Sequence, residues 1–299
     1  MTASFDNKKE LRFVITIGAG NGNFTSTSGD NLGNQITIEG FRAIVNIDKG
    51  GGQMFGHMNA SIYGVAQSDM NAVTTLRYKA FSTKPNVITA YAIDGDQETL
   101  VFQGNIVNAW GNYDSMPDVF LQIEAQAAYL NRLIPVPPRS FKGGTDVATV
   151  MQQLAGAMNY TFENNGVNTQ LSNPYLAGTA IDQAKALAEA AGIWWGIDNQ
   201  VLWISPPNTP RAGQIPLISP QSGLIDYPSF DAQGCIIFRC LFNPAIKFLG
   251  QVNLQTSIPQ AVGQWTVLNV AYRLESEKPD GAWFSTVRVV ENGRVPIYS

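Results

Sequence analysis

The chain has 299 residues, of which 44 % are hydrophobic and only 14 % are charged, and its net charge is −4. The length predicts two or three domains, and the hydrophobic content excludes a disordered tail. The negative charge argues against a nucleic-acid binder, which needs a basic surface. No apolar run is long enough to span a membrane, and the first residues lack an apolar secretory segment, so we expect synthesis in a cytoplasm.

The low charged fraction is unusual, because an ordinary soluble domain carries roughly 25 % charged residues. A weakly charged surface rich in amides, hydroxyls and glycine suits a chain that is packed inside an assembly. A neutral secreted β-protein would have the same composition, so composition alone leaves both interpretations open.

The first part of the chain, residues 1–135, alternates between apolar and polar residues with period two and is rich in Val, Ile, Thr and Phe. Many short strands without a strong helical period predict an antiparallel β-barrel or sandwich. One brief helix is predicted over 68–76. The predicted strands are 11–17, 34–39, 43–47, 60–65, 75–81, 87–93, 99–110 and 119–125.

A Pro-rich stretch over 135–138 then predicts a linker, followed by a small α/β module over 139–205. A helix over 147–158 is predicted from the spacing of Val147, Val150, Met151, Leu154 and Met158. Thr179 and Asp182 predict the capping box of a second helix, and Gly192 suits its C-terminal end. Strands are predicted over 160–163, 193–197 and 201–204, the last two closed as a hairpin by Asp198 and Asn199.

A second Pro-rich stretch over 206–210 predicts another linker, and alternation returns over 214–299. Strands are predicted there over 235–241, 251–255, 264–275 and 282–290. The predicted fold class is therefore mainly β with a small α+β module, in which two antiparallel β-barrel domains flank the α/β insert. Cys235 and Cys240 would point to opposite faces of a strand, too far apart to bridge, so we expect reduced core thiols.

The sequence offers little catalytic chemistry. His57 is the only histidine, so a Ser-His-Asp or Cys-His arrangement would have to use it, and its Gly-rich surroundings favour a surface position. Asp94, Asp96 and Glu98 do not continue as a calcium-binding loop. The glycines over 18–22 lack the following helix of a dinucleotide loop. We therefore assign no catalytic, cofactor-binding or metal-binding residue and predict that the protein is not an enzyme.

Aromatic residues leave a binding role open. Trp194, Trp195 and Trp203 could stack on sugars, although tryptophans in a hairpin that packs on two helices are more often core residues. A pair of carboxylates facing across a cleft could also arise among 23 acidic residues, which leaves a glycosidase possible in principle.

Several stretches, in their order along nearly the whole chain, resemble the hub proteins of bacteriophage tails, the late control protein D-like family. The closing motifs are Gly263-Gln264-Trp265, Leu274-Glu275-Ser276 and Trp283-Phe284. The earlier stretches are 38–43, 60–65, 68–71, 101–106, 117–120, 162–167, 171–175, 188–193, 216–220, 223–228 and 241–244.

The resemblance implies a virion protein of the tail tip or baseplate, without a cofactor. Each hub subunit of this family carries two tube-like β-barrel domains, so a homotrimeric ring would present a pseudo-sixfold face to the hexameric tail tube protein and a threefold face to the central spike protein. Wedge, sheath and tape-measure proteins are further candidate partners. The alternatives are a tail-associated peptidoglycan hydrolase and a carbohydrate- or receptor-binding tail protein.

Overall fold

The computed structural model describes residues 8–18, 24, 30–31, 33–50, 55–74, 86–114 and 116–292. Of these residues 48 % are in strands and 14 % in helices, among them three α-helices, which confirms the predicted mainly β class. The first segment contains β1 (Lys9–Thr16), β2 (Asp30–Asn31), β3 (Gln35–Glu39), β4 (Ala43–Lys49), β5 (His57–Tyr63), α1 (Gln67–Val73), β6 (Val87–Asp94), β7 (Gln97–Asn112) and β8 (Phe120–Gln126).

The α/β module and the last segment follow. The module contains β9 (Arg139–Ser140), β10 (Gly144–Asp146), α2 (Val147–Ala157), β11 (Thr161–Asn164), β12 (Gln170–Ser172), β13 (Tyr175–Leu176), α3 (Ala180–Ala191), β14 (Trp194–Asp198) and β15 (Val201–Ser205). The last segment contains β16 (Leu217–Ile218), β17 (Ser229–Phe230), β18 (Ile236–Leu241), β19 (Gln251–Leu254), β20 (Gly263–Ser276) and β21 (Trp283–Glu291). Short 3-10 turns occupy Leu130–Arg132 and Pro259–Ala261.

The predicted alternation is present in the strands. In β8, for example, Leu121, Ile123 and Ala125 are buried while the residues between them are partly exposed, because successive side chains point to opposite faces. Some boundaries differ. The strand predicted over 60–65 begins at His57 and ends at Tyr63, the helix predicted over 68–76 spans Gln67–Val73, and the strand predicted over 99–110 spans Gln97–Asn112. The strand predicted over 75–81 lies outside the described residues.

The first and last segments share one large sheet. Its strand order is β17-β18-β21-β20-β4-β5-β8-β7-β6-β1-β3-β2, and β19 also pairs with β20. The two segments meet where β4 runs antiparallel to β20, with Ala43 opposite Ser276 and Lys49 opposite Val270. We call this pairing the seam. Buried residues on both sides of the seam belong to one hydrophobic core, so the two β-segments are packed together as well as hydrogen-bonded.

Two long strands, β7 and β20, each pair with different neighbouring strands along successive parts of their length. β7 pairs with β6 over 97–105 and with β8 over 105–112, and Gly104 stands at the change. A Cβ atom at Gly104 would lie 2.7 Å from the carbonyl oxygen of Gln126, so the close approach of β8 requires glycine there. On one edge β20 pairs first with β19 and then with β4, and on its other edge the pairing with β21 shifts register between Val267 and Asn269.

The module has a core of its own, in which α2 and α3 pack on the three-stranded sheet β11-β15-β14. Asp146 caps α2 by accepting from the backbone N–H of Thr149. Thr179 and Asp182 form the predicted capping box of α3, and Gly192 ends that helix with a left-handed φ of 63°. These local predictions are confirmed. The hairpin turn differs by one residue, because Asn199 and Gln200 take the positive φ values that close it.

The Pro-rich connections are held against the module by hydrogen bonds. The backbone N–H of Val136 donates to Gly178, and Gln183 donates to the carbonyl of Pro137. At the second connection, Ser205 Oγ donates to the carbonyl of Thr209 at 2.7 Å. Both stretches are therefore fixed against the module by hydrogen bonds.

The two cysteines are buried and reduced, as predicted. Cys240 belongs to the large shared core, whereas Cys235 packs with Leu268 and Val290 in a separate small cluster. The opposite directions of the two side chains explain why they do not bridge.

Candidate functional site

The residues with catalytic or metal-binding potential are dispersed. His57 is exposed at the start of β5, opposite Asp48 on one side and Gln126 on the other. The side chains of Asp94 and Glu98 face cations instead of one another, since Asp94 pairs with Lys9 and Glu98 with Arg12. Among the residues that the structure describes, no group of three His, Cys, Asp or Glu side chains could hold a metal ion.

The tryptophans considered for sugar stacking are largely core residues. Trp203 is 1 % exposed and Trp195 is 7 % exposed, as predicted for the core, whereas Trp194 is half-buried. Of the glycine-rich stretch after β1, residues 19–22 lie outside the described part, and Gly18 donates its N–H to Asn86. None of the described helices is both long and apolar enough to cross a membrane.

One face of the large sheet carries polar side chains, many of them amides. Glu124 accepts a hydrogen bond from Asn108 at 2.9 Å, and Gln122 contacts both Ser61 and Asn59. One rung of side chains crosses five strands in register, namely Arg273, Asn46, Asn59, Glu124 and Asn108.

Large apolar side chains are exposed near the β17 end of the sheet. Tyr227 is 76 % exposed, Phe230 is 52 % exposed and Ile225 is 43 % exposed, close together in sequence around the terminal strand. Exposed apolar side chains that gather beside a strand edge are typical of a surface that another protein covers. Met116 and Tyr113 in the β7–β8 connection are exposed as well.

The most strongly built polar site lies where the module meets both β-segments. Lys49, at the end of β4, donates to Asp198 of β14 at 3.0 Å, and both side chains are mostly buried. The Lys49 ammonium also lies 5.4 Å from the ring centre of Tyr272 in β20. Lys49 therefore contacts the module and stands at the seam at the same time.

Arg211, just after the second Pro-rich stretch, completes this site. Its guanidinium donates two hydrogen bonds to Glu163 of β11, at 2.9 Å and 2.8 Å, and a third nitrogen lies 4.0 Å from Asp198. The side chain is only 3 % exposed and lies over the ring of Trp203. We call Lys49, Glu163, Asp198 and Arg211 the junction cluster.

The charges of the junction cluster set the pKa values of its carboxyl groups. Burial pushes the pKa of Asp198 upward, but Lys49, Arg211 and Lys247 outweigh burial and hold it below its ordinary value. Burial opposes ionisation of Glu163 in the same way, and the hydrogen bonds from Arg211 and Asn165 again hold the pKa low. Both carboxylates are therefore ionised at neutral pH, as their pairing with buried cations requires.

The opposite end of the seam is closed by the Leu-Glu-Ser motif. Leu274 is buried in the shared core, and Ser276 Oγ donates to the carbonyl of Phe41 at 2.9 Å. Glu275 accepts from Lys278 and from the backbone N–H of Ala282, which orders the β20–β21 turn. The motif that helped to carry the family resemblance thus joins the first and last segments.

Sequence reasoning did not single out the junction cluster. Asp198 entered only as a turn residue, and Lys49, Glu163 and Arg211 were not selected at all. The partners lie far apart in sequence, 149 residues in the case of Lys49 and Asp198, so no local spacing marks them. The one available signal is a lone arginine directly after a Pro-rich stretch.

Comparison with known structures shows that the fold is that of phage tail proteins. The 43 kDa tail protein of prophage MuSo2 from Shewanella oneidensis is 10 % identical with a TM-score of 0.62, covering 96 % of this chain and 97 % of that one. A tail protein from Neisseria meningitidis MC58 is 9 % identical with a TM-score of 0.60, covering 95 % and 97 %.

A third similar structure comes from a secretion system. The E. coli c3393 protein, a component of the type VI secretion system described as similar to the T4 tail proteins gp27 and gp5, is 8 % identical with a TM-score of 0.53 and covers 83 % of this chain and 73 % of that one. No curated protein sequence matches the chain.

This fold, together with the family match that follows, defines a structural component of a phage tail or baseplate. The sequence profile of one family, described as baseplate hub gp41, matches residues 78–287. The chain belongs to this baseplate hub family, which confirms the resemblance seen in the sequence.

Proposed function

We propose that the protein is a hub subunit that forms a homotrimeric ring, joining the hexameric tail tube to the trimeric central spike. The observation that carries this proposal is the presence of two β-segments in one chain, continuous across the seam, in a member of a baseplate hub family. Two such segments per subunit give six in a trimer, which matches a hexameric tube on one face and a threefold partner on the other.

The proposal treats the first and last segments as two tube-like β-barrel domains, 1–135 and 214–299, with the module 139–205 between them. A heterologous ring closes only when each subunit is rotated correctly against the next. The amide-rich face of the sheet and the exposed apolar side chains near β17 suit a protein that is surrounded by other subunits. Ile225, Tyr227 and Phe230 are the residues that we expect a neighbouring subunit to cover.

The mass of the purified protein, alone and mixed with its spike protein, tests the proposal. We expect a particle of three times 32.5 kDa that binds one spike trimer. The double variant Tyr227→Ser with Phe230→Ser tests the contact between subunits. It should weaken the ring without unfolding the subunit, because both side chains are exposed. A wild-type protein that stays monomeric at high concentration and binds no spike would contradict the proposal.

Tail tube, wedge, sheath and tape-measure proteins are the further partners that we propose for the assembled ring. Co-purification of each with the wild-type ring and with the Tyr227/Phe230 variant distinguishes partners that need the ring from partners that bind a single subunit. Loss of tube binding in the variant is the expected result, because a single subunit presents only two of the six tube-like domains of the ring.

A further inference from the structure

The α/β module contacts both β-segments at one end of the seam. Lys49 is the last residue of β4 and lies opposite Val270 of β20, so its bond to Asp198 joins the module to the seam itself. On the side of the last segment, Trp203 of β15 packs against Phe248, with ring centres 5.7 Å apart. The backbone N–H of Arg211 donates to Leu249 in the same loop at 2.8 Å.

The hairpin of the module also covers a strand edge. β7 has β6 beside it over 97–105, but β8 joins only from Asn105 onward, so among the described strands the other edge of 97–104 has no partner. The tip of the β14–β15 hairpin lies there, and Asn199 donates its side-chain N–H to the carbonyl of Leu100 at 3.3 Å. The module thus touches the first segment at two separate strands, β4 and β7.

The chain that enters the module is fixed at the same place. Asn105, where β7 changes partner, accepts from the backbone N–H of Leu130 at 3.2 Å. Phe55, just before β5, packs edge-on against Trp195 of the module at 6.3 Å, and Arg132 lies over the same phenylalanine ring. These contacts use side chains that a loosely tethered domain would leave in solvent.

The seam needs such support because β4 and β20 are the one pair of described strands that joins the two segments. Beside the seam, the pairing of β20 with its other neighbour β21 shifts register between Val267 and Asn269, and such a shift bends a strand. Ser276 and Phe41 hold one end of the seam. At the other end, Lys49 and Asp198 are tied through Arg211 to β11 of the module. The seam is therefore held at both ends, by its own strands at one and by the module at the other.

We propose that the α/β module is an internal brace, which fixes the angle between the two β-segments through the junction cluster and the Asn199–Leu100 contact. The proposal rests on the proposed ring, because a fixed angle matters most where three subunits must close. In this role the module acts within its own subunit, and its partner is the seam rather than another baseplate protein.

Hydrogen exchange on the full-length protein tests the brace directly. Asp198→Asn removes the charge that faces Lys49 while keeping the shape of the side chain, and Asn199→Gly keeps the positive φ of the turn while removing the bond to Leu100. We expect both variants to exchange about tenfold faster over 97–104, over 246–250 and at the module end of the seam, 47–49 with 270–272, with the rest of the β-segments unchanged. The control is Glu189→Gln, which removes an exposed pair with Lys185 in the same module and should leave exchange unchanged.

Unchanged exchange over all of these stretches in both variants would overturn the brace. If Asp198→Asn reduces folding as a whole, the milder Asn199→Gly still decides the question. The mass of each variant then tests the consequence for assembly: we expect a smaller trimer fraction than in the wild type, and a full trimer in a variant with accelerated exchange would overturn the link to ring closure. A monomeric wild-type protein would instead contradict the ring, while the exchange comparison would still judge the brace.

Discussion

Gly196 lies directly opposite Trp203 in the β14–β15 hairpin, and the indole ring occupies the space that a side chain at position 196 would need. A Cβ atom on Gly196 would stand 2.5 Å from Cζ2 of Trp203. Trp203 in turn packs against Phe248 and supports the guanidinium of Arg211. The smallest residue of the hairpin is thus what allows the tryptophan to link the module to the last segment.

Gly196→Ala should therefore destabilise the protein. The added methyl group must displace a ring that is 1 % exposed, and overpacking of this kind costs about 1–3 kcal/mol in the free energy of unfolding. Denaturant unfolding measures the change. The control is Gly156→Ala on α2, where a Cβ atom meets nothing within 4 Å and alanine favours the helix, so that variant should be neutral or slightly stabilised. Equal stability of the Gly196 variant and the wild type would show that the ring can move aside.

Glu275→Gln should loosen the β20–β21 turn. The carboxylate is 2 % exposed and accepts from Lys278 at 2.7 Å and from the backbone N–H of Ala282 at 3.1 Å. Replacing it with an amide removes the charge that these donors face. The free energy of unfolding should fall by on the order of 1–3 kcal/mol, as for other buried hydrogen-bonded groups. Thermal unfolding measures the loss, with the exposed Glu189→Gln as control. A variant with the same melting temperature as the wild type would mean that solvent replaces the carboxylate without loss of stability.

The helices of the module could be predicted from the sequence because their signals are local. The apolar spacing from Val147 to Leu154 gives the buried face of α2, and Thr179 with Asp182 gives the start of α3. Alternation likewise gave most strands, since burial of one face of a sheet imposes period two. The start of β5 was missed by three residues because His57 and Asn59 are polar and exposed, so only Met58 marks the pattern there.

The seam and the junction cluster could not be predicted in this way. β4 pairs with β20 more than 200 residues later, as the bond from Ser276 to Phe41 across 235 positions illustrates. No local sequence signal in either strand identifies the other as its partner. From the sequence alone, Lys49 would be predicted to be a solvent-exposed lysine at the end of a strand. Its function depends on Asp198 and Tyr272, which the fold alone brings beside it.

The two thiols should be unreactive until the protein unfolds. Cys235 and Cys240 are each 1 % exposed, and burial raises the pKa of Cys240 to about 12, which leaves almost no thiolate at neutral pH. A thiol reagent such as iodoacetamide should label neither residue in the native protein and both in denaturant, as mass spectrometry of intact protein would show. Rapid labelling of one thiol under native conditions would indicate that the β18 region opens locally.

The junction cluster should make stability depend on acid. The folded-state pKa values of Asp198 and Glu163 lie below their ordinary values of 3.8 and 4.5, because the cations around them outweigh burial. A carboxylate with a lowered folded pKa contributes stability that is fully present above its unfolded pKa and is lost as the pH falls through the folded pKa. The melting temperature should therefore stay level from neutral pH to about pH 5 and fall below about pH 4.

Asp198→Asn separates this site from the other carboxylates of the chain. Lys49, Arg211 and Lys247 lower the pKa of the native carboxylate, whereas the neutral amide cannot titrate. The variant should be less stable than the wild type at neutral pH, and the two melting temperatures should converge as the pH falls, because the wild-type side chain becomes neutral too. Melting curves measured at each pH in constant ionic strength give this difference directly. A constant gap between the two proteins from neutral to acidic pH would mean that the charge of Asp198 does not hold the module to the seam.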